Sequence, residues 1–527
     1  MSLSPVLING TWRSPESPIG EFQAQDPSLK KTIPEIFPIS SFKDIKRAVD
    51  ASISAVEELR LIPPEKLGKF LETYAENINN ISEPLIEKAA QETGLPIIPR
   101  LRDVELPRTI DQLKQAASAA QDGSWCCPTI DTQLNIRSKY GPLGGPVVTF
   151  GPNNFPLAFN SISGGDFAAA IAAGNPVISK SNPNHPGTTR LFAEAARNAL
   201  NKSELPPSTI QLLYHFNSED GFRLVSHPKV SATAFTGNRK TGLPLKKAAE
   251  EAGNLIYLEL SSINPVFILP GALEERAQEI AEQLFESCTL GMGQFCTNPG
   301  LVVVMKNKKS KVFLETLKHL FKQEPAGTLL GERVLEDLKD SIETLKKNGA
   351  RIICGGKELK GNGCRFSYTL LSVSGKDFLK RPLELQKEAF GPSTLLVNTE
   401  GADETLKIIK NLQGNLTGTL YTNQKDQDDS LYKQFESALR PKVGRLLNNK
   451  MPTGVAVTSA MHHGGPFPAS GHPGFTSVGI PTSIKRFASL YCYDNVNQKY
   501  LPIELKNKNP SGKMWRFIDR VWTQKSI

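Results

Sequence analysis

The chain has 527 residues, of which 39% are hydrophobic and 22% charged, and its formal net charge is +9 at pH 7. This length exceeds what a single hydrophobic core holds, so two or three domains are expected. The basic residues are spread along the chain among acidic ones, and no basic run is interleaved with aromatic residues. This pattern argues against a nucleic-acid groove.

The seven cysteines are an odd number without a repeated spacing. We therefore expect neither a disulfide framework nor a metal site, and the natural compartment is the reducing cytoplasm. No stretch reaches the ~18 apolar residues that cross a bilayer, and the first residues lack the pattern of a secretion signal. The sequence thus predicts a cytoplasmic protein with no membrane partner.

The first 125 residues are predicted to be mainly helical. A short apolar strand at 6–12, closed by an Asn-Gly turn, comes first. Apolar residues then recur at three- and four-residue intervals, which predicts helices at 41–60, 64–81, 83–93 and 103–120. These helices form a layer that requires a sheet to pack against.

From residue 137 onward, short apolar strands alternate with helices. This order predicts parallel sheets covered by helices on both faces, with ligands at the carboxyl ends of the strands. In the first series the predicted strands are 147–150, 176–179, 210–214 and 230–235, and the helices are 157–173, 188–200, 219–226 and 240–252. A second series runs from a strand at 255–260 to a strand at 443–447. The fold class is α/β with two such units.

A glycine-rich loop at 291–300 contains one cysteine, Cys296, between a predicted helix and an apolar strand. Backbone amides and an electropositive setting lower the pKa of a thiol, and the flanking Gly291 and Gly293 favour an accessible loop that provides them. A cysteine in general is more often a buried structural residue. The nucleophile hypothesis therefore depends on partners elsewhere in the chain.

Candidate partners follow several of the predicted strands. A turn at 150–157 offers Asn153 or Asn154 as a donor to an oxyanion, and Lys180 directly follows a strand, where it could bind a ribose or phosphate. Glu259 is a carboxylate in an otherwise apolar strand, which is costly unless the carboxylate is paired or faces a cleft. Each of these motifs alone is equally explained by turn chemistry or a solvated surface.

Two further segments suit a dinucleotide. The stretch 235–242 combines a strand end, a glycine turn and a helix start, with Asn238 or Thr236 as the N-cap, and free amides at such an end bind phosphate. It lacks the Gly-x-Gly-x-x-Gly pattern. Glu388 lies on a turn before a strand, where it could bind a second ribose.

Taken in order, these motifs resemble those of the aldehyde dehydrogenase superfamily over residues 5–495. The motifs are Pro-Asn-Asn-Phe-Pro-Leu, Lys180, Phe-Thr-Gly, Leu-Glu-Leu, Gly-Gln-Phe-Cys-Thr and Glu-Ala-Phe-Gly-Pro. The resemblance implies Cys296 as nucleophile, Glu259 as general base, and Asn154 with the Cys296 amide as oxyanion hole. The cofactor contacts that it implies are Phe150, Lys180, Gly237, Asn238, Gly242, Glu388 and Phe390.

The resemblance also implies a domain organisation. A Rossmann-type cofactor-binding domain takes residues 1–125 and 141–257, and an α/β catalytic domain takes 258–470. A small β oligomerisation arm takes 126–140 and 480–500, and a C-terminal tail takes 501–527. The arm predicts a homodimer or homotetramer.

Within the superfamily, the segments 293–300, 461–470 and 509–516 resemble enzymes that oxidise 2-oxoglutarate semialdehyde to 2-oxoglutarate, and a fatty aldehyde branch is a near neighbour. A distal substrate carboxylate needs a cation, and Arg108, on a helix expected to line the pocket entrance, is the candidate. Phe159, Phe295 and Phe467 complete the predicted substrate site. A coenzyme A-dependent acylating enzyme and a non-catalytic dinucleotide-binding protein are the alternatives, and Glu259 as a water activator speaks against the former.

The cofactor is predicted to be NAD or NADP. NAD-preferring relatives commonly carry a glutamate three residues after the lysine, where this chain has Pro183. Without that acid, a 2′-phosphate near Lys180 meets no repulsion, and NADP is expected to be accepted. Two departures from the family pattern concern the cofactor: Ser261 and Ser262 replace the usual glycine pair, and Asn238 stands where serine is common.

Overall fold

The computed structural model describes residues 2–527 and contains two seven-stranded sheets built mainly from parallel strands. The strands of the first sheet are, in spatial order, Leu255–Glu259, Ala232–Thr236, Val147–Phe150, Val177–Lys180, Ile210–Leu213, Val6–Ile8 and Thr11–Arg13. The central strands are almost entirely buried because helices cover both faces. None of the helices in residues 2–527 is long and apolar enough to cross a membrane.

The register of the first sheet collects the candidate residues at one edge. Lys180 pairs with Phe150 on one neighbouring strand, and Thr236 pairs with Glu259 at the end of the sheet. All of these residues end their parallel strands. The carboxyl edge of this sheet is therefore where a ligand is expected.

Helices surround the first sheet as the sequence periodicity predicts, with one correction. The helices are Phe42–Leu61, Pro64–Asn80, Ser82–Thr93, Leu106–Asp122, Gly165–Ala172, Pro186–Ser203, Ser218–Val225 and Arg239–Glu251. The single helix predicted at 157–173 is wrong in its first half, which forms turns. There the Ser161 carbonyl accepts hydrogen bonds from the hydroxyls of Thr149 and Ser179, so this backbone pairs with strand side chains instead of a helix.

The second sheet has the order Arg351–Cys354, Thr369–Ser374, Ser393–Thr399, Leu301–Met305, Val266–Ile268, Asn415–Tyr421 and Val443–Asn448. Its helices are Pro270–Thr289, Ser310–Leu320, Glu332–Lys347, Gly375–Lys380, Ala402–Lys410 and Asp429–Leu439. The strand at 369–374 and the helix at 429–439 were not predicted. In that helix only Phe435 and Leu439 are buried, which leaves little apolar periodicity to detect.

A third sheet, here called the arm sheet, consists of Ala488–Asp494, Ile136–Pro142, Thr129–Asp131, Arg516–Ile518 and Val521–Thr523. Its last two strands lie within the stretch predicted as a C-terminal tail. Arg516 is completely buried there and donates hydrogen bonds to the carbonyls of Lys506, Asn507 and Lys525. The end of the chain is thus part of the arm sheet.

Candidate active site

The loop around Cys296 follows helix Pro270–Thr289 and is held in an unusual conformation. Gly291, Met292 and Gly293 all have φ between 55° and 65°. A side chain at Gly293 would clash with the carbonyl of Gly391, so only glycine fits this position. Beyond the turn, the Asn264 amide donates to the Cys296 carbonyl at 2.8 Å, which fixes the backbone of the cysteine.

Glu259 ends the outermost strand of the first sheet and is buried. The segment 469–471 pairs antiparallel with this strand, through hydrogen bonds of Leu260 to the Ala469 carbonyl and of Gly471 to the Leu258 carbonyl. This pairing brings the chain from 461 to 478 against Glu259. The hydroxyl of Ser477 donates to Glu259 Oε2 at 2.8 Å.

The same segment supplies His463, a buried residue to which the sequence assigned no role. Its Nε2 lies 3.3 Å from Cys296 Sγ and 2.8 Å from Glu259 Oε1. The backbone of His463 is anchored at both ends, because its N–H donates to Thr476 Oγ1 and its carbonyl accepts from Ser477. The structure therefore unites Cys296 and Glu259, as predicted, and adds a histidine between them.

The electrostatics of this cluster favour a neutral thiol beside an ionised carboxylate. Burial, followed by the negative charge of Glu259, raises the pKa of Cys296, and the Arg108 charge opposes this. Burial also pushes the pKa of Glu259 upward, but His463 and the hydrogen bond from Ser477 outweigh it, so the pKa lies below its usual value. The carboxylate is thus the available proton acceptor for the thiol.

Asn154 lies on the turn after strand Val147–Phe150 and is buried. One amide hydrogen is donated to the Gln294 carbonyl at 2.9 Å, two residues before Cys296 in the chain. An amide nitrogen carries two hydrogens, so the second stays available for an oxyanion. The backbone carbonyl of Asn154 in turn accepts from Arg100 at 2.9 Å.

An apolar cluster borders the cysteine. Its buried members are Phe155, Ala158, Phe159, Phe295 and Val478. The ring of Phe159 also lies 6.2 Å from the ring of His463. Of the three phenylalanines predicted for the substrate site, Phe159 and Phe295 lie in this cluster. Phe467 is 58% exposed and is not part of it.

Arg108 reaches the same cluster from helix Leu106–Asp122. Its guanidinium carbon lies 4.9 Å from the ring centre of Phe159 and 5.5 Å from that of Phe155. Within residues 2–527, its Nε and Nη2 atoms are buried without a hydrogen-bond partner. Burial lowers the pKa of Arg108, while the charges of Glu105, Cys296 and Glu259 raise it.

The predicted cofactor residues line the carboxyl edge of the first sheet. The Lys180 ammonium lies 5.9 Å from the ring of Phe216, and burial lowers its pKa to about 8. Asn238 is the N-cap of helix Arg239–Glu251, where its side chain accepts from Thr241 N–H at 2.9 Å. A Cβ at Gly237 would lie 2.8 Å from the ring of Phe235, so the turn closes against that ring.

The remaining predicted cofactor residues differ in how they are engaged. Phe150 is buried and packs at 5.9 Å from the Phe235 ring, and Gly242 is buried inside the helix. Glu388 accepts a hydrogen bond from Ser262 N–H at 3.3 Å, and burial raises its pKa although Ser261 and Ser262 lower it. Phe390 packs partly buried against the core of the first sheet.

The two departures from the family pattern have structural consequences. The Ser262 hydroxyl donates to Asn264 Oδ1 and accepts from Leu416 N–H. It therefore joins the segment after the outermost strand of the first sheet to a strand of the second sheet. Arg239, next to the capping Asn238, donates to Gln413 at 3.0 Å and to the Ser261 carbonyl at 2.9 Å. These contacts bridge the two α/β units beside the cofactor residues.

The site combines a candidate cysteine nucleophile, a carboxylate and an amide donor near the carboxyl edge of an α/β sheet. This combination matches the motifs that resemble those of aldehyde dehydrogenases. The profile of the aldehyde dehydrogenase family matches residues 12–477. The chain belongs to the aldehyde dehydrogenase family, which confirms the resemblance.

The chain is similar to two curated proteins over nearly its whole length. It is 38% identical over 504 residues to "Alpha-ketoglutaric semialdehyde dehydrogenase 2" of Azospirillum brasilense, with 93% of this chain and 94% of the relative covered. It is 34% identical over 502 residues to "Alpha-ketoglutaric semialdehyde dehydrogenase" of Acinetobacter baylyi, with 93% of each covered.

Solved structures confirm the fold class. An aldehyde dehydrogenase C mutant of Pseudomonas syringae, in complex with NAD⁺ and octanal, superposes with a TM-score of 0.80 at 21% identity, with 93% of this chain and 96% of that chain covered. Lactaldehyde dehydrogenase of Escherichia coli gives a TM-score of 0.78 at 21% identity, with 93% and 98% covered.

Proposed function

We propose that this protein oxidises 2-oxoglutarate semialdehyde to 2-oxoglutarate with NAD or NADP. The observation that carries this choice of substrate is the partly buried Arg108, whose buried Nε and Nη2 atoms have no hydrogen-bond partner among residues 2–527. An arginine in an apolar cluster needs an anion, and a substrate with an aldehyde at one end and a carboxylate at the other supplies it. The similarity to two enzymes named for this semialdehyde supports the same choice.

The proposed chemistry assigns one role to each member of the cluster. Glu259 accepts the proton of the Cys296 thiol, and the sulfur attacks the aldehyde carbon. His463, whose Nε2 lies 3.3 Å from the sulfur, stabilises the thiolate as it forms when that nitrogen carries a proton. The second Asn154 amide hydrogen and the Cys296 backbone N–H stabilise the oxyanion. Removing one such donor reduces the stabilisation of the transition state by ~2.7–4 kcal/mol.

A bound nicotinamide supplies the acceptor for the hydride that leaves the thiohemiacetal carbon. Glu259, having released the thiol proton to solvent, then takes a proton from a water that hydrolyses the Cys296 thioester to the acid and regenerates the thiol. Glu259 is buried, and the apolar cluster that contains Phe159 and Phe295 borders the partly exposed Cys296, which limits the access of other water to the thioester.

The residues at the sheet edge fit a dinucleotide. Lys180 is partly buried and makes no hydrogen bond or ion pair within residues 2–527, and the Nδ1 atom of nearby His215 is buried without a partner. The first N–H groups of helix Arg239–Glu251 provide a phosphate site. Lys180, the turn at Gly237 and Glu388 would hold the cofactor, and Pro183 in place of an acid supports acceptance of NADP.

The test is an assay of purified protein with a set of aldehydes and both cofactors. We expect the highest kcat/KM with 2-oxoglutarate semialdehyde and a much lower value with a neutral aliphatic aldehyde of the same length. Cys296→Ala is the matched control and should abolish turnover. A preference for long neutral aldehydes would favour a fatty aldehyde dehydrogenase instead, and a product that forms only with coenzyme A would favour an acylating enzyme.

We further propose that the protein is a homodimer or homotetramer assembled through the arm sheet. Strand Ala488–Asp494 is an edge strand of that sheet, and Leu490 on it is 62% exposed. An exposed apolar edge strand is suited to pairing with a second copy. Light scattering should give a mass at least twice 57.7 kDa, and Leu490→Lys should lower it.

The unpaired state of all seven cysteines supports a reducing, cytoplasmic location, which fractionation would test.

A further inference from the structure

The proposed catalytic cluster has the composition of a metal site. Cys296 Sγ, a ring nitrogen of His463 and a carboxylate oxygen of Glu259 all lie within 4.8 Å of one another. In residues 2–527 this is the one place where three such donor atoms meet. The three residues are 37 and 167 positions apart in the chain, which explains why cysteine spacing predicts no metal here.

Sulfur, imidazole nitrogen and carboxylate oxygen are ligands that zinc accepts together in tetrahedral sites. With Zn–S of about 2.3 Å and Zn–N of about 2.0–2.1 Å, two ligands of one zinc ion lie roughly 3.3–3.6 Å apart. The observed separations are 3.3 Å for Sγ to Nε2 and 2.8 Å for Nε2 to Oε1. The sulfur and nitrogen already lie at the lower end of this range, and the nitrogen and carboxylate oxygen would have to separate by about 0.5–0.8 Å to admit the ion.

The surroundings hold two of the ligands in place. Ser477 binds Glu259 Oε2 and leaves Oε1 directed at the cluster, and the backbone of His463 is tied to Thr476 and Ser477. Such outer contacts orient metal ligands. Cys296 is partly exposed, which gives an ion access to its sulfur. Three protein ligands leave the fourth tetrahedral position to water.

Two nearby arginine side chains carry positive charges that oppose the binding of a metal cation. The charges of Arg108 and Arg445 both interact with Cys296. Arg445 is already bound to the carbonyls of Pro452 and Gly454. A thiolate and a carboxylate together balance the two charges of the metal, so the bound site has no net charge of its own.

We propose that Cys296, His463 and Glu259 form a reversible inhibitory site for Zn²⁺. Zn²⁺ takes the place of the thiol proton, which passes to solvent. It binds the unprotonated Nε2 of a neutral His463 whose remaining proton is on Nδ1, and no oxidation or reduction occurs. The bound ion occupies the proposed nucleophile and general base together, so it should compete with the aldehyde. Mg²⁺, which prefers oxygen ligands, should not bind.

The experiment measures metal binding directly, without aldehyde or cofactor, so it is independent of the proposed dehydrogenase activity. Full-length protein freed of metal by EDTA is treated with Zn²⁺ or Mg²⁺, and alkylation of Cys296 by iodoacetamide is followed by peptide mass spectrometry. Zn²⁺ should slow alkylation and EDTA should restore it, with no effect of Mg²⁺. Cd²⁺, as a zinc substitute, should give an ultraviolet thiolate-to-metal charge-transfer band.

His463→Gln should weaken protection by Zn²⁺ at least about tenfold, since one ligand is lost. Glu259→Gln is a second ligand variant in case the first fails to fold, which circular dichroism would reveal. Cys492→Ser, which removes an exposed cysteine on the arm sheet, should leave protection unchanged. Equal protection in a folded ligand variant, absence of protection in the wild type, or an undiminished Cd²⁺ band in Cys296→Ala would overturn the proposal.

Discussion

Two arginines stack on the ring of Phe155, and their hydrogen-bonding states are opposite. Arg100, at 4.3 Å from the ring centre, donates to Glu105 at 2.6 Å and to the Asn154 carbonyl at 2.9 Å. Arg108, at 5.5 Å, makes no hydrogen bond within residues 2–527. Both terminal nitrogens of Arg100 are paired within the protein and only its Nε lacks a partner, whereas Nε and Nη2 of Arg108 both lack one. A cation paired within the protein positions its neighbours, and one left without partners is available for a ligand.

Glu105 extends the contrast. Its second oxygen accepts hydrogen bonds from Leu157 N–H at 2.8 Å and Ala158 N–H at 3.0 Å, so the pair with Arg100 holds the turn that carries Asn154. Arg100 also lies 5.2 Å from the ring of Phe295, next to Cys296 in the chain. One side of the site is therefore tied together by hydrogen bonds, whereas no such bonds hold the Arg108 guanidinium within residues 2–527.

The largest expected effect comes from the partnered arginine. Arg100→Gln should lower kcat by roughly 100-fold for charged and neutral aldehydes alike, since a misplaced Asn154 acts like a lost oxyanion donor. It also leaves Glu105 buried without its cation, which costs about 3–5 kcal/mol of stability. Steady-state kinetics and thermal melting measure both. Arg100→Lys should recover part of kcat, and a change confined to KM would contradict a positioning role.

The unpartnered arginine should show the complementary behaviour. Arg108→Gln removes one charge-assisted interaction of ~1.5–3 kcal/mol, so kcat/KM for the carboxylate-bearing semialdehyde should fall about 10- to 150-fold. The value for a neutral aldehyde of equal length should stay within about twofold. Arg102→Gln, which alters an exposed arginine paired with Glu83 on the preceding segment, is the matched control. An equal loss of kcat/KM for both aldehydes would mean that Arg108 positions its neighbours, as Arg100 does, and does not bind the substrate carboxylate.

Lys180 tests the same distinction at the cofactor side, because its partly buried ammonium also makes no hydrogen bond or ion pair within residues 2–527. Its pKa is about 8, so the ammonium loses its proton, and its attraction for phosphate, as pH rises through that value. The Kd for NADP should be constant below pH 8 and rise about tenfold per pH unit above it. Calorimetric titration of wild type and Lys180→Gln measures this, and the variant should bind weakly with little pH dependence. A wild-type Kd that stays flat to pH 10 would exclude the role of Lys180.

The same contrast shows what the sequence can predict. Cys296, Glu259 and Asn154 each lie in a short local motif at the end of a predicted element. The residues alone left Asn153 and Asn154 as alternatives, and the order of the motifs, which resembles that of the family, selected these three. His463 was missed because its link to Cys296 spans 167 residues and depends on the pairing of 469–471 with the strand that ends at Glu259. A histidine pair between a methionine and two glycines offers no periodic signal of such a contact.

The arginines mark the same limit. Arg108 was nominated from the need for a cation, but its lack of partners could be seen only in three dimensions. Arg100 was not nominated, since the pair with Glu105 forms within a segment, Ile97–Glu105, whose π-helical geometry the 3.6-residue period does not predict. Phe467 was chosen from its motif, and the chain carries its side chain to the surface instead.

The smallest expected effect comes from a neutral positioning group. Ser477 donates to Glu259 Oε2, so Ser477→Ala removes a hydrogen bond of ~1 kcal/mol and should lower kcat about fivefold, with KM unchanged for either aldehyde. If Glu259 activates the water, the thioester should accumulate, and single-turnover measurements should show a burst of NAD(P)H before a slow steady state. Ser477→Thr keeps the hydroxyl and should restore most of kcat. A loss of kcat without a burst would mean that Ser477→Ala slows activation of the Cys296 thiol and not hydrolysis of the thioester.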